Sequence, residues 1–387
     1  MKKKNIFDKT KCKDFIKKYN YLNFLYNATH PKPFCSSPPH QVYIEPTNCC
    51  NLRCTHCPQR QQRRQPQMIK LKLFKKVIKE LAPHQPFIDL YLQGEPLLHP
   101  KIAKMVKITR EYGLLPRITT NTTLLTKELS KKLIKAGLDK IEFSLSGVTK
   151  KSYEKIHVGA TYEVTLNNIL DFLELNAEAG FPVHTRTVFV DEEKTHHEKD
   201  RYLKLFSKLP IDDVYISPLI NMFDWNKEID LSHFKRLPRE KWPICKCPWR
   251  QIGINADGTV RACFFDYDSR YLIGDAKKSN VMDIWNSKKM MKFRKAVIER
   301  RYEDLDKPGL PLCTECSQIW PTNKELESSD STQYPKNFLE EAEKFFANEK
   351  SIFKAKYSDQ KTKIKKAKYL QRNRDEWFTE ACKRNKK

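Results

Sequence analysis

Glycine is scarce in this chain, at 10 of 387 residues, and nowhere do 18 apolar residues run together. The second absence excludes a membrane-spanning helix. The basic start, MKKKNIFDKTKCKDF, does not lead into the apolar core of a secretory signal, so a cytoplasmic protein is expected. No internal repeat is found. Acidic residues are outnumbered, 47 Asp and Glu against 73 Lys and Arg, giving a formal charge of +26. A field of that sign attracts anions: acidic electron-transfer proteins, phosphorylated substrates, nucleic acid or an anionic membrane surface. Cysteine, by contrast, is plentiful. Twelve cysteines in a cytoplasmic setting argue for metal or redox chemistry rather than structural disulfides.

The length suits one large α/β domain with smaller appendages. Residues 1–40 read as a basic lead-in that ends in an extended linker, PKPFCSSPPH. Apolar runs then predict parallel strands at 41–45, 87–92, 116–120, 140–145, 183–190 and 213–217. Amphipathic stretches predict helices at 70–81, 100–112, 127–136, 162–178 and 196–207; in 162–178, Val164, Ile169, Leu170, Phe172 and Leu173 approximate one face. Six such β–α units with right-handed crossovers predict an α/β fold, a partial (β/α)6 TIM-like barrel over residues 41–235. Its site should lie at the C-terminal ends of the strands. From 240 to 322 the pattern changes to a short strand, a turn at Asp257–Gly258, a strand at 259–262 and a helix near 280–300. Residues 323–387 form a basic extension, helical from about 335. Fourteen Lys or Arg against four acids in 350–387 predict a solvated or frayed helix rather than a binding arm.

The strongest motif is Cys50-Asn-Leu-Arg-Cys54-Thr-His-Cys57, directly after the first strand. Three thiolates at CxxxCxxC spacing can hold three corners of a [4Fe–4S] cube and leave the fourth iron open. Structural zinc and ordinary electron-transfer clusters both need four ligands. His56 is a strained fourth ligand for zinc, because it lies between two close cysteines.

The stretch IEPTNCCNLRCTHC resembles the cluster motif of the radical S-adenosylmethionine (SAM) superfamily, and further landmarks follow in order over roughly residues 41–220. The resemblance implies that Gly94-Glu95-Pro96 presents backbone and carboxylate to the SAM amino group. It also implies that Asn121, in ITTNTTLLT, sits near SAM and that Ser144, in FSLSG, contacts the ribose. A turn or helix cap is the structural alternative for both. Two positions depart from the family pattern: Thr122 replaces a glycine, which should alter only turn geometry, and Ser146 replaces an aspartate. Arg186 could reach the SAM carboxylate, or be exposed or paired in the core. Cys49 is read as a bystander, and Cys12, Cys35 and Cys382 show no partner pattern.

A second group of cysteines spans CKCPWRQIGINADGTVRAC and the later CTEC. Four thiolates from a hairpin and a distant CxxC suffice for one cluster or a zinc ribbon. The segment resembles the SPASM/twitch extension of radical SAM enzymes. That implies one auxiliary [4Fe–4S] cluster on Cys245 (or Cys247), Cys263, Cys313 and Cys316. The spare thiol would be inert or would donate a hydrogen atom.

Taken together, the resemblance implies a radical SAM oxidoreductase with two [4Fe–4S] clusters. It would cleave SAM reductively to a 5′-deoxyadenosyl radical and oxidise a sugar, cyclitol or related small molecule. A flavodoxin- or ferredoxin-type reductant is implied as partner. Peptide maturation and epimerisation are alternatives, the latter quenched by Cys245 or Cys247. An iron–sulfur or zinc protein that binds nucleic acid through its basic tail is the reading from another class. It leaves the GEP turn and strand-end motifs unexplained, and no aromatic interleaving for base stacking is present.

Overall fold

The computed structural model describes residues 9–219, 242, 244–306, 312–316 and 338–383. Six strands follow one another in parallel: β1 (Gln41–Ile44), β2 (Phe87–Asp89), β3 (Leu115–Thr120), β4 (Lys140–Ser144), β5 (His184–Asp191) and β6 (Asp213–Pro218). Each neighbours the next, as sequential β–α units require, and the result is a partial (β/α)6 barrel. Helices α1 (Lys9–Thr29), α2 (Leu71–Leu81), α3 (Ile102–Glu111), α4 (Lys127–Ala136), α5 (Lys150–Ile156), α6 (Tyr162–Glu178) and α7 (Lys199–Phe206) come from the same half of the chain.

The strands are two-faced. Ile88, Ile118, Ile141, Phe143 and Phe189 are buried in the core shared with Phe74, Val77, Met105, Leu133 and Leu170 of the helices. Alternate residues carry charge on the inner face: Arg117 clamps Asp89, and Glu142 accepts from Thr119, Lys140 and Arg186. The period of two puts these polar side chains on the face opposite the core. In α6 the buried stripe is Leu166, Ile169, Leu170 and Leu173; Val164, expected on that face, is 47% exposed.

The second unit grows from the same sheet. β7 (Gln251–Ile254) pairs in parallel with β1 over four residues, and β8 (Thr259–Arg261) and β9 (Leu272–Asp275) continue antiparallel. Nine strands therefore form one sheet among the described residues. The single expected helix near 280–300 is two, α9 (Val281–Trp285) and α10 (Lys288–Ile298). A buried ion-pair group joins the units: Glu45, just beyond β1, accepts from Arg64 at 2.6 and 2.9 Å and from fully buried Arg261 at 3.3 Å. The expected boundary at 235–240 lies outside the described residues, as do 323–337.

Both termini depart from expectation. Much of the basic lead-in is α1, whose Phe24, Leu25 and Ala28 pack together. The Pro-rich segment after it is not a free linker. Trp249 donates to Lys32 O, Trp285 to Ser37 O and Arg294 to Pro33 O, while Asn286 brackets Cys35 through both its N–H and its carbonyl. At the other end, the last turns of helix Phe338–Cys382 are docked rather than solvated. Leu370, Arg374, Trp377 and Ala381 share one helical stripe. Trp377 is buried and donates to Leu205 O, and Arg374 pairs with Asp171 and Glu174 of α6. No described helix is long and apolar enough to cross a membrane.

Candidate active site and auxiliary cysteine cavity

Three contacts hold the loop after β1. Thr47 Oγ1 donates to Gln67 O, while Asn48 donates to Gln65 O and accepts from Gln67 N. Farther along, Arg53 N and Thr55 N donate to Val158 O and Ile156 O, which lays the cysteine loop along the end of α5. Cys50, Cys54 and Cys57 are all partly buried there. Cys50 Sγ accepts from Leu52 N at 3.4 Å and lies 3.8 Å from Asn121 Nδ2; Cys54 Sγ lies 3.4 Å from His157 Nδ1. Burial raises all three thiols, Cys57 to about 11, and Cys54 is raised further by the charges of Cys57 and Cys50. Thiols so placed ionise readily only with a compensating cation, which is what iron supplies.

The turn after β2 is fitted against this loop. Gly94 has φ +75°, and a Cβ there would lie 2.4 Å from Cys49 O and 2.6 Å from Thr47 O. Only glycine combines that conformation with that approach. Glu95 N donates to Cys49 O at 2.7 Å. The Glu95 carboxylate turns inward and is buried. It accepts from Leu97 N, Thr120 Oγ1 and Asn121 N at 2.8–3.0 Å, and burial still raises it to about 7. Pro96 opens a short 3-10 turn and is buried.

Asn121 reaches the cysteine loop, donating to Asn51 Oδ1 at 3.0 Å, and also caps its own turn by accepting from Thr123 N. Thr122 keeps a glycine-like conformation, φ +69°, so the expected change of turn geometry is instead backbone strain in a buried Thr. Ser144 ends β4, half-buried, opposite Val188. Ser146 is fully buried and accepts from Val190 N, tying β4 to β5. Arg186 bonds Asp213 and Glu142 and stands over the Tyr215 ring at 5.2 Å. Its donors are spent in the inner-face network, which is the paired alternative raised with it. His157 was not singled out by any motif. Burial holds its imidazole well below the ordinary histidine value.

The second site draws on three segments. Cys245 and Cys247 precede β7, Cys263 follows β8, and Cys313 and Cys316 lie on a turn held by Asp306, which accepts from Leu312 N and Cys313 N. All five thiols line one cavity whose other walls include Phe265, Phe293 and Leu312. Cys247 lies within hydrogen-bond reach of both Cys245 and Cys263, which draws its thiol down; the same contacts, then burial, push the other two up. Among the described residues, no three His, Cys, Asp or Glu side chains gather closely enough to hold a single metal ion. The thiols are spread around a space instead. Tyr302 lines that space too, and its buried hydroxyl has no hydrogen-bond partner among the described residues. Four or more thiols and an orphaned donor around one cavity fit an iron–sulfur cluster, whose sulfides accept hydrogen bonds.

Phe264, missed in the sequence, ties the hairpin of Cys263 to the inner face of the barrel. It follows Cys263 directly and packs on inner-face Tyr43 at 4.3 Å and Tyr91 at 6.1 Å between ring centroids. Its place beside a cysteine was the available signal.

The radical SAM superfamily model matches residues 44–216, and the SPASM iron–sulfur cluster-binding domain matches residues 245–317. The chain belongs to the radical SAM superfamily. A radical SAM oxidoreductase of this kind binds a [4Fe–4S] cluster and SAM in its first domain and auxiliary iron–sulfur chemistry in its SPASM domain. The enzyme is 24% identical over 319 residues to the tungsten-containing aldehyde ferredoxin oxidoreductase cofactor-modifying protein of Pyrococcus furiosus, covering 71% of this chain and 86% of that one. It is 23% identical over 283 residues to the S-adenosyl-L-methionine-dependent 2-deoxy-scyllo-inosamine dehydrogenase of Niallia circulans, covering 72% and 92%. The crystal structure of BtrN in complex with AdoMet and 2-DOIA shares the fold, with TM-score 0.50, 19% identity and coverage of 73% and 94%.

Proposed function

We propose that this radical SAM enzyme dehydrogenates a sugar, cyclitol or related polyhydroxylated small molecule. Cys50, Cys54 and Cys57 hold the SAM-binding cluster. The backbone of Gly94-Glu95-Pro96, with Asn121 and Ser144, borders SAM. Arg186 is reassigned to the inner-face charge network. Cys245, Cys263, Cys313 and Cys316 hold a single auxiliary cluster, and Cys247 is the fifth, spare thiol. The functional units run over residues 41–235 and 240–322. The setting is cytoplasmic, and a flavodoxin- or ferredoxin-type protein supplies electrons.

When bound, these groups supply a 5′-deoxyadenosyl radical that removes a hydrogen atom, and an acceptor for the one electron left after deprotonation. The chain's own residues do the rest. Asn121 and the Gly94 turn fix the mouth of the cysteine loop, and the ring of Phe264 closes the inner face from the auxiliary side. The observation that carries the reading is this adjacency. The residue after Cys263 packs on Tyr43 and Tyr91, beside an inner face rich in Asp, Glu, Lys and Arg. Such a face suits a substrate with many hydroxyl or amino groups. Similarity to a cyclitol dehydrogenase over 72% of the chain supports the same class.

The test is anaerobic reconstitution, reduction, and incubation with SAM and a panel of aminocyclitols and sugars. One 5′-deoxyadenosine and one ketone per turnover are expected. Turnover with peptides alone would replace this reading by peptide maturation.

A further inference from the structure

His157 caps the C-terminus of α5, is 1% exposed, and uses both ring nitrogens. Ser146 N lies 3.1 Å from Nε2. A backbone N–H can only donate, so Nε2 carries the lone pair and the neutral ring's proton sits on Nδ1. Nδ1 is the atom 3.4 Å from Cys54 Sγ. The contact is therefore an N–H···S hydrogen bond directed at the sulfur. Tyr153 stacks on the imidazole at 4.5 Å and His56 meets it edge-on at 5.6 Å, which fixes the ring plane. Ser146, where the family pattern has an aspartate, belongs to this arrangement through its backbone.

We propose that His157 is a positioning residue for the SAM-binding cluster, orienting Cys54 and making the cluster easier to reduce by donating its Nδ1 proton to the Cys54 sulfur. The proposal rests on Cys54 being a cluster ligand. Reduction adds one electron from the external donor and no proton, so negative charge on the sulfur grows while His157 keeps its hydrogen. A donor aimed at that sulfur stabilises the reduced form more than the oxidised one. Leu52 N does the same for Cys50, but as backbone it is the same for any side chain; at Cys54 the donor is a side chain and the sequence can tune it.

The experiment is an EPR-monitored redox titration of the full, reconstituted chain, following the signal that changes on adding SAM. His157→Phe removes the donor, and His157→Asn retains an N–H at the Nδ1 position. His157→Phe is expected to make that cluster about tenfold harder to reduce, about 59 mV more negative. His157→Asn should stay within about threefold of wild type, and the SAM-insensitive signal should not move in either. An unchanged potential in His157→Phe, or equal shifts in both variants, overturns the proposal. Where no variant loads, wild type grown with 15N-histidine decides: a 15N coupling in the reduced SAM-sensitive signal is expected, and its absence overturns the hydrogen bond. A wild type with iron but no SAM-sensitive signal overturns the ligand assignment itself, and this proposal with it.

Discussion

The first cysteine site takes its three thiols from residues 50–57, whereas the second takes five from segments spread over residues 245–316. The two are also held differently. Polar pins position the first loop: Asn48, Asn121, His157 and the close approach of Gly94. Packing positions the second, through Phe265, Phe293, Leu312 and the turn on Asp306. A local loop with polar pins leaves sulfur and backbone open to a ligand. An enclosed, largely apolar cavity instead shields its contents and sets their potential by burial. The contrast teaches that one chain holds its cysteines in two ways, one set on an open polar loop and one set around an enclosed, largely apolar space.

The comparison breaks most completely when the first site is emptied. Cys50, Cys54 and Cys57 changed together to Ala should abolish 5′-deoxyadenosine formation while about four iron atoms per chain remain at the second site. Iron assay and product chromatography on the same sample check both halves. Next is the seam. Glu45→Ala strands Arg261, which is buried enough that its guanidinium is already lowered to about 10. A loss of about 3–5 kcal/mol is expected, because the partner charge stays buried. Denaturant midpoints should fall, and both clusters should become labile together.

Gly94→Ala is narrower. The added Cβ meets Cys49 O at 2.4 Å in a conformation L residues avoid, so about 2 kcal/mol of strain falls on the first loop. First-site iron and 5′-deoxyadenosine should drop at least about tenfold while the second site stays loaded. The smallest effect sharpens the comparison from the other side. Cys247→Ala should leave second-site iron unchanged and Cys245→Ala should lose it; the reverse result would exchange their roles.

Much of this was legible before folding. The six parallel strands showed as apolar runs, although FIDLYL stops being a strand at Asp89, because the chain must turn there to bring Gly94 to the cysteine loop. The lysine-rich tail concealed its docking stripe. Leu370, Trp377 and Ala381 are diluted by basic neighbours, and Arg374 finds its acids on α6, some 200 residues away. α1 was missed because its apolar residues form no clear single face, and they pack in a small cluster of their own. The Pro-rich linker looked free because its partners, Trp249, Trp285, Asn286 and Arg294, offer it hydrogen bonds that no local pattern encodes.

The sequence alone pointed to the chemistry: three thiolates at CxxxCxxC spacing can hold three corners of a cluster, and apolar runs separated by amphipathic stretches predict a parallel β/α sheet. Tertiary structure decided what surrounds that chemistry. It turned Glu95 inward, spent Arg186 on Glu142 and Asp213, put Phe264 against Tyr43 and aimed His157 at Cys54. Thiolate spacing acts over a few bonds and can be read along the chain. The direction of a carboxylate, a guanidinium or an imidazole depends on groups up to a hundred or more residues away, and only packing brings those together.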